Sequence, residues 1–202
     1  MHTTLGSKTL RRTAALAATL LAAAAGVSGC TSVQRNATAP SYLIVESFQA
    51  AAGVDPSKLS GSLGSDVLTN NVRYEDSGQV VLRLAMVDPI SVTGPTSTNF
   101  ITVNRYHVRY IRNDGKNVQG VDIPFEFDGT ASMTIGVAVG TLPISLVRAQ
   151  AKGVAPLSDL IGTNAHILTQ AEVTIFGTDQ AGNAVQVVAH ISVDFSDWKD
   201  PS

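Results

Sequence analysis

The chain has 202 residues, a formal net charge of −2, 15% charged residues, four histidines and a single cysteine. One cysteine excludes an internal disulfide framework, and the length suits one domain with some elaboration, large enough to fold without cross-links. The first 29 residues hold three basic residues and no acidic one, leaving a net −5 on the remaining 173; that balance argues against a phosphate-binding surface, hence against nucleic acid, and against a polybasic membrane contact.

Residues 1–29 read as a secretory signal peptide. Lys8, Arg11 and Arg12 supply positive charge, and Thr13 to Gly26 form a small, apolar run. That run is too short to span a bilayer and closes in small residues. Val27-Ser28-Gly29-Cys30 resembles the lipobox of bacterial lipoproteins, in which the cysteine is lipidated and becomes the mature N-terminus. The resemblance implies a chain held in a membrane of the cell envelope through lipid on Cys30. Thr31 stands where an aspartate would signal inner-membrane retention, which points to the outer membrane in a two-membrane envelope. Residues 30–41 are expected to be the lipidated cysteine and a flexible tether. They are small, polar and aperiodic, and residues 31–41 reach about 36 Å when fully extended.

The strand pattern begins at Tyr42, with a first strand over Tyr42–Phe48. Residues 50–66 are rich in Gly, Ser and Asp and give no regular element, with a short strand expected near Val67-Leu68. Gln79–Val87 is a half-buried strand, because Leu82, Leu84 and Met86 alternate with Arg83 and Ala85. Asn99–Arg112 is the longest strand signal, and its apolar parity changes part-way. Ile101 and Val103 share one face, whereas Tyr106, Val108 and Tyr110 share the other. Only an inserted residue keeps both sets inward, so a β-bulge is expected near Asn104. Asn113-Asp114-Gly115-Lys116 reads as a hairpin turn. Ile123-Pro124-Phe125 is a loop or an edge, since proline lacks the ladder donor.

Ala131, Met133, Ile135, Val137 and Val139 alternate cleanly and predict one continuous strand. Ile144–Ala151 predicts another, Pro156–Ile161 a single helical turn, and Ile167–Gly177 with Ala184–Phe195 a closing hairpin. The fold expected for residues 42–198 is all-β: a single antiparallel sandwich of about seven strands, followed by a tail at 199–202.

Asp179-Gln180-Ala181-Gly182-Asn183 is similar to the Asp-x-Ala-Gly-Asn turn near the C-terminus of many bacterial immunoglobulin-like domains. In such a turn Asp179 would accept hydrogen bonds from backbone amides, and Gly182 and Asn183 tolerate left-handed geometry. The resemblance implies an immunoglobulin-like sandwich. The runs Ser41–Val45, Asn99–Tyr106 and Asp194–Trp198 also resemble a group of small bacterial lipoproteins, and that group brings no activity with it. Antibody-type domains differ in their core cysteine pair and mid-strand tryptophan, whereas the one tryptophan here is Trp198.

Strand parity places His107, Glu172 and His190 on one outer sheet face with Arg105, Arg109, Gln170 and Ser192, and puts Glu172 opposite His190. Two imidazoles and a carboxylate are zinc-type ligands. The simpler reading is a solvated face with a cross-strand ion pair, so no metal or other cofactor is expected. Glu75-Asp76 and Glu126-Asp128 offer calcium-type oxygens, and here too the simpler reading is solvated turn carboxylates. Phe125 and Phe127 either pack a loop against the sandwich, the preferred reading, or form an exposed contact patch. The sequence contains no Gly-x-Ser-x-Gly elbow, and its only thiol is assigned to lipid. The function expected is therefore a lipid-anchored envelope protein with a non-catalytic interaction or structural role, its partner an envelope protein or a glycan. A small-ligand or metal-binding accessory lipoprotein is the alternative.

Overall fold

The computed structural model describes residues 39–88, 90 and 94–198. The signal segment, Cys30, most of the tether and the tail at 199–202 lie outside the described residues. Eight strands run in chain order: β1 Ser41–Ala51, β2 Ser62–Asp66, β3 Asp76–Met86, β4 Ile101–Ile111, β5 Phe127–Ile135, β6 Gly140–Val147, β7 Ile167–Asp179 and β8 Ala184–Ser196. They form a three-stranded sheet in the order β1-β3-β6 and a five-stranded sheet in the order β2-β8-β7-β4-β5, packed face to face as a β-sandwich. Among the described residues the only helical elements are short 3-10 turns, one of them at Ser158–Leu160 inside the expected helical turn.

Period-2 alternation builds the core. Val80, Leu82 and Leu84 of β3 face Val173, Ile175, Ile191 and Val193 of the opposite sheet, all buried in one apolar cluster. The bulge expected near Asn104 is present: the register of β4 shifts between Val103 and Arg105 against both β5 and β7. One extra residue thus keeps Ile101, Val103, Tyr106, Val108 and Tyr110 all buried. Tyr106 also links layers. Its ring lies across β5 at Gly129, where any Cβ would overlap it, and its hydroxyl accepts the Ser145 N–H at 2.9 Å. The closing hairpin has its expected turn. Asp179 Oδ1 accepts from the Ala181 and Asn183 amides at 2.9 and 2.8 Å, and Gly182 has φ +86°.

Several expectations need correction. The sandwich begins before Tyr42: Ala39 and Ser41 are buried, and Ser41 Oγ donates to the Asn99 carbonyl at 2.7 Å. The short strand expected at Val67-Leu68 is instead β2, inside the Gly/Ser-rich passage, and it pairs with β8 in parallel, so the sandwich is not purely antiparallel. The alternating run after Ala131 is not one strand. β5 stops at Ile135, and the chain crosses to the other sheet within 136–139, leaving Val137 74% exposed. β6 then starts at Gly140 and includes Pro143, which an edge strand tolerates because one side of its ladder is free. Gly115 takes the positive φ of a turn, but β4 is not followed by a tight hairpin; residues 112–126 form a long connection before β5.

Asp76 is the largest departure. Expected as a solvated turn carboxylate, it is 1% exposed and paired with Lys152, also 1% exposed, at 2.8 Å. Gly53 N–H donates to its Oδ1 at 2.8 Å and Ser65 Oγ to its Oδ2 at 2.6 Å. Burial pushes the Asp76 carboxyl above its ordinary range, against the opposing pull of Lys152 and the donated hydrogen bonds.

A groove on the outer sheet face

Alternation along three neighbouring strands aims one set of side chains at the outer face of the five-stranded sheet. β7 presents Leu168 and Gln170, β8 presents Ser192 and Asp194, and β2 presents Ser62 and the bare backbone of Gly64. Arg112, Asn113 and Asp114, at the end of β4, rise along one side. Together with His166 these residues line an open groove of about 760 Å³.

The groove walls are held by short contacts. His166 Nδ1 lies 3.1 Å from both oxygens of Asp194. Arg112 donates to Asp114 through Nε at 3.0 Å and Nη2 at 2.5 Å. This fork holds the Asp114 carboxyl below the usual range and raises the guanidinium. Trp198 stands at the margin, edge-on to His166 with ring centroids 6.0 Å apart. Its indole covers Gly64, where an added Cβ would stand 3.3 Å from the ring, and the backbone N–H of Trp198 donates to Asp66 Oδ1 at 3.2 Å. The groove thus offers a carboxylate–imidazole pair, a carboxylate–guanidinium fork, a free amide and an apolar patch.

Glu172 and His190 are direct cross-strand partners, as the parity reading expected. His107 lies opposite Thr174 rather than beside them. The Glu172 carboxylate takes Arg109 at 2.6 Å, while His107 lies 3.3 Å from Asp128 and 3.5 Å from Glu126. Among the described residues no group of three or more His, Cys, Asp or Glu is arranged to hold a metal ion. Phe127 is half-buried under the Arg148 guanidinium, 4.0 Å from its ring, whereas Phe125 is exposed and rests on Gly120.

No family model matches the chain, and no curated protein matches it at significant similarity.

The groove was missed in the sequence because it is assembled from distant segments. Only the outward parity of Gln170 and Ser192 was legible. β2 gave no strand signal, and the approach of Arg112–Asp114 depends on the long connection after β4.

Proposed function

We propose that the chain is a lipid-anchored cell-envelope protein whose sandwich makes non-catalytic contacts, and that the groove is its contact surface for a glycan. The anchor rests on the lipobox resemblance at Val27–Cys30. The strand order β1-β3-β6 against β2-β8-β7-β4-β5 and the Asp179 turn support reading the sandwich as immunoglobulin-like. One observation carries the contact surface: polar groups of three kinds converge in a groove flanked by an exposed indole. Sugars ask for this mixture, with planar hydrogen-bonding groups for the hydroxyls and an apolar face for the ring carbons.

The test is calorimetric titration with soluble peptidoglycan fragments and envelope polysaccharides, using the wild type and Asp194→Ala and Trp198→Ala variants of the full chain. Saturable binding weakened tenfold or more in either variant supports the reading. Equal binding in all three places the contact elsewhere. Binding of a small ligand without any glycan would favour the accessory-lipoprotein alternative.

A further inference from the structure

The connections at one end of the sandwich differ sharply in charge from those at the other. The chain enters β1 through Ala39 and Pro40, and Val87 N–H donates to the Pro40 carbonyl at 3.0 Å. Three connections share this end: the described residues of the 87–100 connection (87, 88, 90 and 94–100), 136–139 and 180–183. The pairings Ser41 with Met86, Leu82 with Gly140, and Ile101 with both Ile135 and Asp179 put them there. Together they hold one charged residue, Asp88, whose carboxylate accepts the Ile90 N–H at 3.0 Å. Asp179, at the foot of the last turn, is buried and hydrogen-bonded within it. The connections at the opposite end, residues 52–61, 67–75, 112–126 and 148–166, hold twelve charged residues.

This end, uncharged but for Asp88, also exposes aliphatic side chains. Ile90 is 84% exposed and Val137 74%, with Val87 and Val139 exposed beside them. The charged end exposes more apolar side chains, namely Val54, Val72, Tyr74, Val118, Val121, Phe125 and Val154, but its connections also carry the twelve charged residues, Arg73, Arg112, Lys116 and Asp122 among them, which a hydrocarbon boundary penalises.

Resting on the lipid-anchor reading, we propose that the nearly uncharged end is a second, lipid-facing contact, with Val87, Ile90, Val137 and Val139 seated at the headgroup–acyl boundary of the bilayer that holds Cys30. Where the chain meets the domain identifies the occupant. Only residues 31–38 separate Cys30 from Ala39, a span of at most about 30 Å. The anchor therefore keeps this end at high effective concentration beside the bilayer. Four aliphatic tips gain by leaving water there. With no Lys or Arg in the contact, it needs no anionic lipid; its one charge, Asp88, is exposed and accepts the Ile90 N–H, so it stays on the aqueous side of the headgroups and the seating varies little with salt. Seated this way, the domain turns the groove, at its charged end, away from the membrane.

Because Cys30 is the only cysteine and is acylated in this reading, an introduced cysteine gives a unique free thiol. Val137→Cys and Lys116→Cys variants of the full lipoprotein would each carry a polarity-sensitive fluorophore and be reconstituted into phosphatidylcholine vesicles. Flotation reads anchorage, and emission reads seating. The expected result is flotation of both variants, with the label at 137 blue-shifted, quenched several-fold more by brominated lipid than by aqueous iodide, and little changed in high salt. The label at 116 should show the reverse. Flotation with both labels equally open to iodide would overturn the seating while leaving the anchor intact. Failure to float would overturn the anchor reading, and the seating with it.

Discussion

Removing Lys152 would leave the Asp76 carboxylate buried with two donated hydrogen bonds and no counter-charge. An uncompensated buried charge of this kind costs about 3–5 kcal/mol, so Lys152→Met should lose that much in chemical denaturation at neutral pH. The pH dependence has a definite sign. Burial raises the folded-state pKa of Asp76 above its unfolded value, and loss of Lys152 raises it further. Such a group contributes its stability fully below the unfolded pKa and loses it as pH rises through the folded one. The deficit of Lys152→Met should therefore shrink in mildly acidic buffer. A deficit independent of pH would mean that Asp76 is not the group left unpaired. Asp179 makes a separate residue-scale case. It accepts from two backbone amides and from Asn183 Nδ2 at 2.8 Å, so Asp179→Ala should cost about 1.5–3 kcal/mol, read as a lower thermal midpoint. No change in that midpoint would mean the turn is held by Gly182 and its flanking strands alone.

At the scale of the element, alternation alone extends the strand from Ala131 through Val139. The backbone does not follow, because it must cross between sheets before β6 and has four residues in which to do so. Gly140 already lies against Ile135, with no room for a Cβ between them. The physical consequence separates two neighbouring substitutions. Ile135→Asp buries a carboxylate at a fully enclosed site and should prevent folding. Val137→Asp places one in solvent and should change stability by no more than about 0.5 kcal/mol. Circular dichroism melts of the two variants test the boundary, and comparable destabilisation would return Val137 to the core. The sequence was most legible where local pattern and fold agree. The parity change in β4 was enough to locate the Asn104 bulge, and Asp179 with Gly182 was enough to locate the last turn. It was least legible where a distant partner decides. β2 has one apolar residue, Leu63, and exists because β8 pairs with it and Ser65 reaches Asp76. Asp76 looked like a turn residue because Lys152 is remote in the chain.

On the scale of the whole molecule, the cross-strand ion pairs on the sheet faces count for little. Arg109–Glu172 and Arg83–Glu46 are short, at 2.6 Å, but open to solvent, and such pairs contribute about 0–1 kcal/mol. What orders the molecule is its polarity from end to end, with the chain entering among uncharged tips and the groove opening among charged connections. The anchor reading makes the first of these ends the membrane side. Cys30→Ser should abolish lipidation and yield a soluble or unprocessed protein, read by fractionation and intact mass. Retention of the processed variant in the membrane fraction would remove the acylated sulfur as the anchor.

The clasp between Asp76 and Lys152 has a consequence for biogenesis. It ties the start of β3, the loop after β1, the strand β2 and the 3-10 turn at Ala151–Gly153 at one point. Charge does that work here, and no thiol pair awaits oxidation. If the chain is exported, as the signal-peptide reading proposes, its folding needs no thiol oxidase or disulfide isomerase, and the yield of native protein should be the same from cells with or without a thiol-oxidising system.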